Sequence, residues 1–215
     1  MARLNRNDPE AGYDWRHERK AGVIAIFVSM VVFTALWLAI RYYAPAPAGM
    51  DELAARMRFT LKCACIATLF CFVTGIEAVA HERLQSAAFD PLQQVETRRL
   101  RVNLRYLQNT LEQLVVFIVG LFGLALYSPD GDAMRAVLAT TIVWILARLA
   151  FWAGYHRSAA LRGLGAPGMA LALLVLIYVA GRIGFELAGI GGAAAVVGAF
   201  LLFEAFLFRV TRGSR

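Results

Sequence analysis

Long apolar runs separated by short polar segments dominate the chain. A bilayer core of about 30 Å needs roughly 20 apolar residues in a helix, and six runs approach or meet that length when bounded by charge or by Pro and Gly. They are Ala21 to Tyr43, Phe59 to Ala80, Asn109 to Ser128, Met134 to Trp152, Pro167 to Arg182 and Leu187 to Phe208. Only Arg182 to Glu186 separates the last two. Gly181, Gly184 and Gly189 favour a tight reversal there, with a single long bent helix, and so five spans, as the alternative. Pro45 and Pro47 make a turn after the first run, because proline cannot continue a helix, and Pro129, Asp130 and Gly131 make another between the third and fourth. The longest polar stretch, His81 to Gln108, is divided by Pro91. Its second half, from Gln93, has no Gly or Pro and predicts a charged helix running into the third span.

The fold class expected is therefore all-α, a polytopic membrane helix bundle. Composition agrees: of 215 residues 60% are hydrophobic and 17% charged, with a mean hydropathy of +0.59, which is too apolar for an ordinary soluble domain. The net charge of +7 could indicate nucleic acid, but its placement argues against that partner. Basic residues cluster before the first span (Arg16, Arg19, Lys20), between the second and third (Arg83, Arg98, Arg99, Arg101, Arg105), after the fourth (Arg157, Arg162) and at the C-terminus (Arg209, Arg212, Arg215). With six spans these all fall on one side, which the positive-inside rule makes cytoplasmic, together with both termini. The first run lacks the short core and small-residue cleavage site of a signal peptide and is expected to be a permanent helix. A bias toward Ala, Arg and Gly points to a bacterial inner membrane.

Cys63, Cys65 and Cys71 all lie in the second span, in spacings that supply neither a disulfide framework nor a zinc site, so they read as packing or membrane-facing thiols. His17, His81 and His156 have no ligand-like spacing either, and no metal is expected.

Two polar constellations interrupt the apolar pattern. Arg105, Asn109 and Glu112, at i, i+4 and i+7, share a helix face at the cytoplasmic mouth of span three. Arg148, Tyr155 and Arg162, seven apart, predict a stripe descending span four to its cytoplasmic end. Arg148 lies deep and needs a partner, for which Glu112 is the candidate. A structural Arg-Glu pair with an interhelical Asn hydrogen bond accounts for each set taken singly. Together, they would line one cleft suited to a small anion with several carboxylates and an amine, since Arg grips carboxylates bidentately and Glu takes an ammonium. Glutathione has that pattern.

The segments RYLQNTLE (105–112) and ARLAFWAGYHRSAALR (147–162) resemble the two signatures of the MAPEG superfamily, membrane-associated proteins in eicosanoid and glutathione metabolism. The second is nearest to the leukotriene-conjugating synthase and microsomal glutathione transferase branch. The resemblance implies a four-helix core over 59–182, with extra transmembrane helices at 21–43 and 187–208 between a cytoplasmic segment at 1–20 and a tail at 209–215. It also implies a homotrimer, with glutathione as co-substrate in a cleft between subunits. Arg105, Asn109 and Glu112 would match glutathione contacts, Tyr155 a ligand-binding tyrosine, Arg148 a deep arginine, Arg162 the thiol-activating arginine, and Arg83 loosely another contact. Phe151 and Gln113 depart from the pattern, standing where relatives carry a polar residue and a tyrosine.

The expected activity is that of a glutathione-dependent transferase or peroxidase acting on lipophilic electrophiles or lipid hydroperoxides. An ordinary thiol, with a pKa of about 8.5, is mostly protonated at neutral pH, and a nearby guanidinium favours the thiolate. The alternatives are a non-catalytic relative that uses its arginines for structure or for anionic lipid headgroups, and a transporter. A transporter would show paired broken helices in two halves, which this chain lacks.

Overall fold

The computed structural model describes residues 15–90, 92 and 95–213. Five long apolar helices account for nearly all of it: α1 (Trp15–Tyr43), α2 (Leu53–Leu84), α3 (Arg98–Leu126), α4 (Gly131–Arg157) and α5 (Ala166–Gly213). Among the described residues there is no strand. In hydrocarbon every backbone N–H and C=O must find a partner, which helices supply from within. Large apolar side chains lie bare on the outside, Val23, Phe27, Leu174 and Phe203 among them, as lipid-facing surfaces require.

The helix ends follow local chemistry. Thr97 caps α3, its Oγ1 accepting from Leu100 N at 3.0 Å while its hydroxyl donates to Glu82 Oε1 of α2 at 2.8 Å. The helix therefore begins at Arg98 rather than in the predicted stretch from Gln93, a position that with Pro91 lies outside the described residues. Asp130 caps α4 by accepting from Ala133 N at 2.8 Å. Inside α2, residues Thr68–Val73 widen into a π-helical turn. The Tyr106 hydroxyl donates to the Cys71 carbonyl there at 2.8 Å, serving a group that the irregular ladder frees. Cys63 and Cys71 are buried and Cys65 is exposed, in keeping with packing and lipid-facing roles.

The core lies between α2, α3, α4 and the first arm of α5, with Phe117 stacked on Trp144 at 4.4 Å between centroids, beside Leu121, Met134, Val137 and Ala172. The helix α1 leans on this core and is pinned at three heights. Glu18 Oε2 accepts from Ala160 N at 3.0 Å, Trp37 Nε1 donates to Thr140 Oγ1 at 3.1 Å, and Arg41 pairs with Asp132 at 3.3 Å.

The fifth helix is not one rod. Ala188 and Gly189 leave helical geometry, Gly189 at φ 61°, and the chain doubles back. Positions 184 and 192 would stand roughly 12 Å apart in a straight helix, yet a Cβ added at Gly184 would meet the Gly192 carbonyl oxygen at 2.6 Å. The two arms thus touch backbone to backbone through small residues, as helices packed in lipid often do. The reversal that Gly181, Gly184 and Gly189 favoured is present.

This contact makes a matched pair of substitutions informative. Gly184→Ala should lower the melting temperature in detergent, because its methyl collides with the opposing arm. Gly198→Ala, where nothing lies within 4 Å, should leave it unchanged or raise it through helix propensity.

Candidate functional site

One end of the bundle collects the N-termini of α1 and α3, the C-termini of α2 and α4, and a 3₁₀ turn, Ala160–Gly165, that joins α4 to α5. Asn103 ties three of these elements together. Its Nδ2 donates to Ala78 O on α2 at 3.3 Å, while its Oδ1 accepts from Trp152 Nε1 and lies against His156 Nε2 on α4, each at 2.9 Å. This buried amide was not singled out in the sequence, although it sits three residues before Tyr106 on the same inward face.

A cavity of about 350 Å³ opens at this end between α3, α4 and the turn, within the usual size range of small-molecule sites. Five of the residues proposed from sequence line it: Arg105 and Asn109 from α3, Arg148 and Tyr155 from α4, and Arg162 from the turn. Phe151 and Gln113, which the resemblance set apart in the sequence, line it as well. No carboxylate is among the lining residues, so three guanidinium groups face the space uncompensated. Among the described residues Arg105 and Arg162 have no hydrogen-bonding or ion-pairing partner.

The route by which Arg162 arrives differs from the expected stripe. The fourth helix stops at Arg157, Ser158 is extended (φ −153°, ψ 160°), and the chain folds back so that Leu161 O packs against Gly154, with no room for a side chain there. Gly165 lies equally close to Phe151. Arg162 therefore reaches the cavity from a separate turn and not as the lower end of α4.

Arg148 also has partners other than the one expected. Its side chain is 1% exposed; Nη1 donates to Asn109 Oδ1 at 3.0 Å and Nη2 to Thr110 Oγ1 at 2.9 Å. The guanidinium lies 4.5 Å over the Phe151 ring and 5.4 Å from that of Tyr106, a cation–π arrangement. Glu112 is exposed, outside the cavity, and accepts from Gln108 Nε2 at 3.2 Å. Helix geometry explains the correction. At about 100° per residue, Asn109 and Gln113 turn roughly 40° and 80° from Arg105 toward the cavity, whereas Glu112 turns about 20° the other way. Arg83, on the last turn of α2, is not among the lining residues either.

Two buried polar atoms of the lining residues have no partner among the described residues: Arg148 Nε and Gln113 Oε1. Such a deficit costs on the order of 1–3 kcal/mol for each group and calls for an explanation. A ligand carrying both an acceptor and a donor would satisfy the two. A larger cavity, about 580 Å³, lies elsewhere, between α1 and α3–α5. Its lining is mainly apolar, including Phe33, Trp37, Leu171 and Leu174, with Arg41 as its one charged residue, and that cation is already paired with Asp132.

A helical membrane bundle with a cationic cavity at one end is thus the class defined by fold and site. A sequence profile of the MAPEG family matches residues 59–185, more than half of the chain. The chain belongs to the MAPEG family, which includes glutathione-dependent transferases and peroxidases. Comparison with curated proteins and with solved structures finds no match.

Because Asn103 serves α2 and α4 at once, Asn103→Leu should cost about 1–3 kcal/mol by leaving Trp152 and His156 unpartnered. The readout is thermal unfolding in detergent. Affinity for anions in the cavity should stay near the parent value, since Asn103 does not line it.

Proposed function

We propose that this protein is a glutathione-dependent membrane enzyme, a transferase or peroxidase that ionises the glutathione thiol with Arg162 and delivers it to a lipophilic electrophile or lipid hydroperoxide. The observation that carries the reading is the convergence of Arg105, Arg148 and Arg162 on one cavity with no carboxylate in its lining. Two of these cations are uncommitted, as a site waiting for a polyanion requires.

In this reading Arg105 takes a ligand carboxylate, with Asn109, Tyr155 and Gln113 orienting the peptide backbone. Arg148 contributes mainly field and shape, since its Nη atoms are already bonded to Asn109 and Thr110. A guanidinium near sulfur stabilises the thiolate by Coulomb attraction, and each unit by which the thiol pKa falls corresponds to about 1.4 kcal/mol. The thiol proton leaves to water. Sulfur then forms a bond to carbon as a leaving group departs with its electron pair. With a hydroperoxide, sulfur attacks the terminal oxygen, the O–O bond breaks, the alcohol leaves after taking a proton, and a second glutathione converts the sulfenic acid to disulfide and water.

Glu112 lies on the outward face of α3, beside the cavity but not in it. We read it, with Arg83, as meeting the ligand only where a neighbouring subunit of a homotrimer closes the cleft. The basic end of the bundle is read as cytoplasmic, and 21–43 and 187–208 as helices added to a four-helix core at 59–182. The committed state of Arg148 favours a second reading, in which the arginines serve structure or bind lipid phosphate without catalysis.

Titration of the full chain in nanodiscs separates the two. Glutathione should bind saturably and show an ultraviolet thiolate band whose pH midpoint lies at least about one unit below the ordinary ~8.5. Arg105→Ala should weaken binding about 10–100-fold, the loss of a charged hydrogen bond, and Arg162→Ala should abolish the band at neutral pH while weaker binding persists. Binding without a band, together with displacement by anionic lipid, would establish the non-catalytic reading instead.

A further inference from the structure

The helix that precedes the family-matched region touches the turn that carries Arg162. The 3₁₀ turn Ala160–Gly165 follows Ala159, which has no side chain able to cap it. The Ser158 hydroxyl accepts from Leu161 N at 3.2 Å, and the N–H of buried Ala160 is satisfied from outside the turn by Glu18 Oε2 of α1 at 3.0 Å. Close backbone approach makes that reach feasible: a Cβ at Gly163 would meet Gly22 O at 2.9 Å, and one at Gly22 would lie 3.6 Å from Ala160 O. Arg162 forms part of the wall of two spaces, the cationic cavity on one side and a pocket of about 310 Å³ on the other, lined by Glu18, Arg19, Gly22 and Ile26. The turn therefore has a choice of where to present its guanidinium, and the contact with α1 restrains it.

We propose that Glu18 is a positioning residue for Arg162: its carboxylate caps the Ala160–Gly165 turn and holds the guanidinium at the glutathione cavity. The assignment rests on the glutathione reading above. A carboxylate accepting from a backbone N–H makes a charge-assisted bond, roughly twice as strong as a neutral one, so Gln at this position keeps the geometry with a weaker grip and Ala loses it.

The sign of the effect separates positioning from simple electrostatics. If Glu18 acted only as a nearby negative charge, removing it would favour an anionic sulfur and lower the thiol midpoint. If Glu18 holds Arg162 in place, removing it lets the cation retreat and raises the midpoint.

The test is a pH titration of the thiolate band of bound glutathione, with the full chain in nanodiscs, for the parent, Glu18→Gln, Glu18→Ala and Trp37→Phe. The last breaks the middle attachment of α1 to Thr140 and controls for general loosening of that helix. The expected result is a midpoint raised by about one unit in Glu18→Ala, a tenfold loss of thiolate well below the midpoint. Glu18→Gln should fall between Ala and the parent, Trp37→Phe should stay at the parent value, and glutathione affinity should change less than about threefold, because Arg105, Asn109 and Arg148 are untouched. A midpoint unchanged or lowered in Glu18→Ala overturns the assignment while leaving the glutathione reading intact, and an equal shift in Trp37→Phe does the same. Absence of the band in the parent overturns both.

Discussion

A guanidinium buried in the apolar bundle without a carboxylate partner is the constraint around which this end of the molecule is organised. Moving such a charge out of water is expensive, and the bond that offsets it must come from whatever polar or polarisable groups the neighbouring helices bring. For Arg148 those are two neutral oxygens on α3, from Asn109 and Thr110, and the faces of Phe151 and Tyr106. Neutral partners steady the cation without cancelling its charge. The field therefore survives at the cavity, where Arg105 and Arg162 add to it. An ion pair with Glu112 would have erased much of it, which gives the outward heading of that carboxylate a direct chemical consequence.

The residues behind the cavity make this arrangement rigid. Tyr106 is stacked on Trp152 at 4.8 Å, bonds the π-helical turn of α2 through its hydroxyl, and lies against Gly75, where a Cβ would meet its ring at 3.0 Å. Asn103 joins the same three helices one turn earlier. Aromatic stacking and an amide bonded to both neighbouring helices thus fix the distance between α3 and α4, and with it the separation of Arg105 from Arg148. Phe151, expected from the sequence to mean the loss of a polar contact, supplies the surface on which Arg148 rests.

The two ends of the bundle handle charge differently. At the end away from the cavity, Asp132 pairs with both Arg41 and Arg135, at 3.3 and 2.7 Å, and Arg56 donates to the Pro129 carbonyl at 2.7 Å. Arg41 thereby fastens α1 to α4 and Arg56 fastens α2 to the turn before α4, while the Arg135 pair lies within α4. At the cavity end Arg99 pairs with Glu82 at 3.6 Å, but Arg105 and Arg162 in the cavity wall are left without counterions among the described residues. The cavity thereby offers an anion two cations without counterions, in a molecule whose sides are apolar.

Much of this was legible in the amino-acid order, because helix period and hydrophobic run length are local properties. The apolar runs located the helices, the glycines between the last two marked the reversal, and the RYLQNTLE and ARLAFWAGYHRSAALR segments marked where the polar residues would gather. Spacing alone could not resolve which side of a shared face meets the cavity, a matter of about 100° between Gln113 and Glu112, since that depends on where α4 and the turn lie against α3. Nor could it show that Arg162 leaves α4 and returns on a separate turn, because the fold-back depends on Gly154 meeting Leu161 and on Glu18 reaching across from a helix 142 positions away. Periodicity is set by neighbours along the chain; the heading of a side chain and the choice of its partner are set by residues distant in sequence, and only packing brings those together.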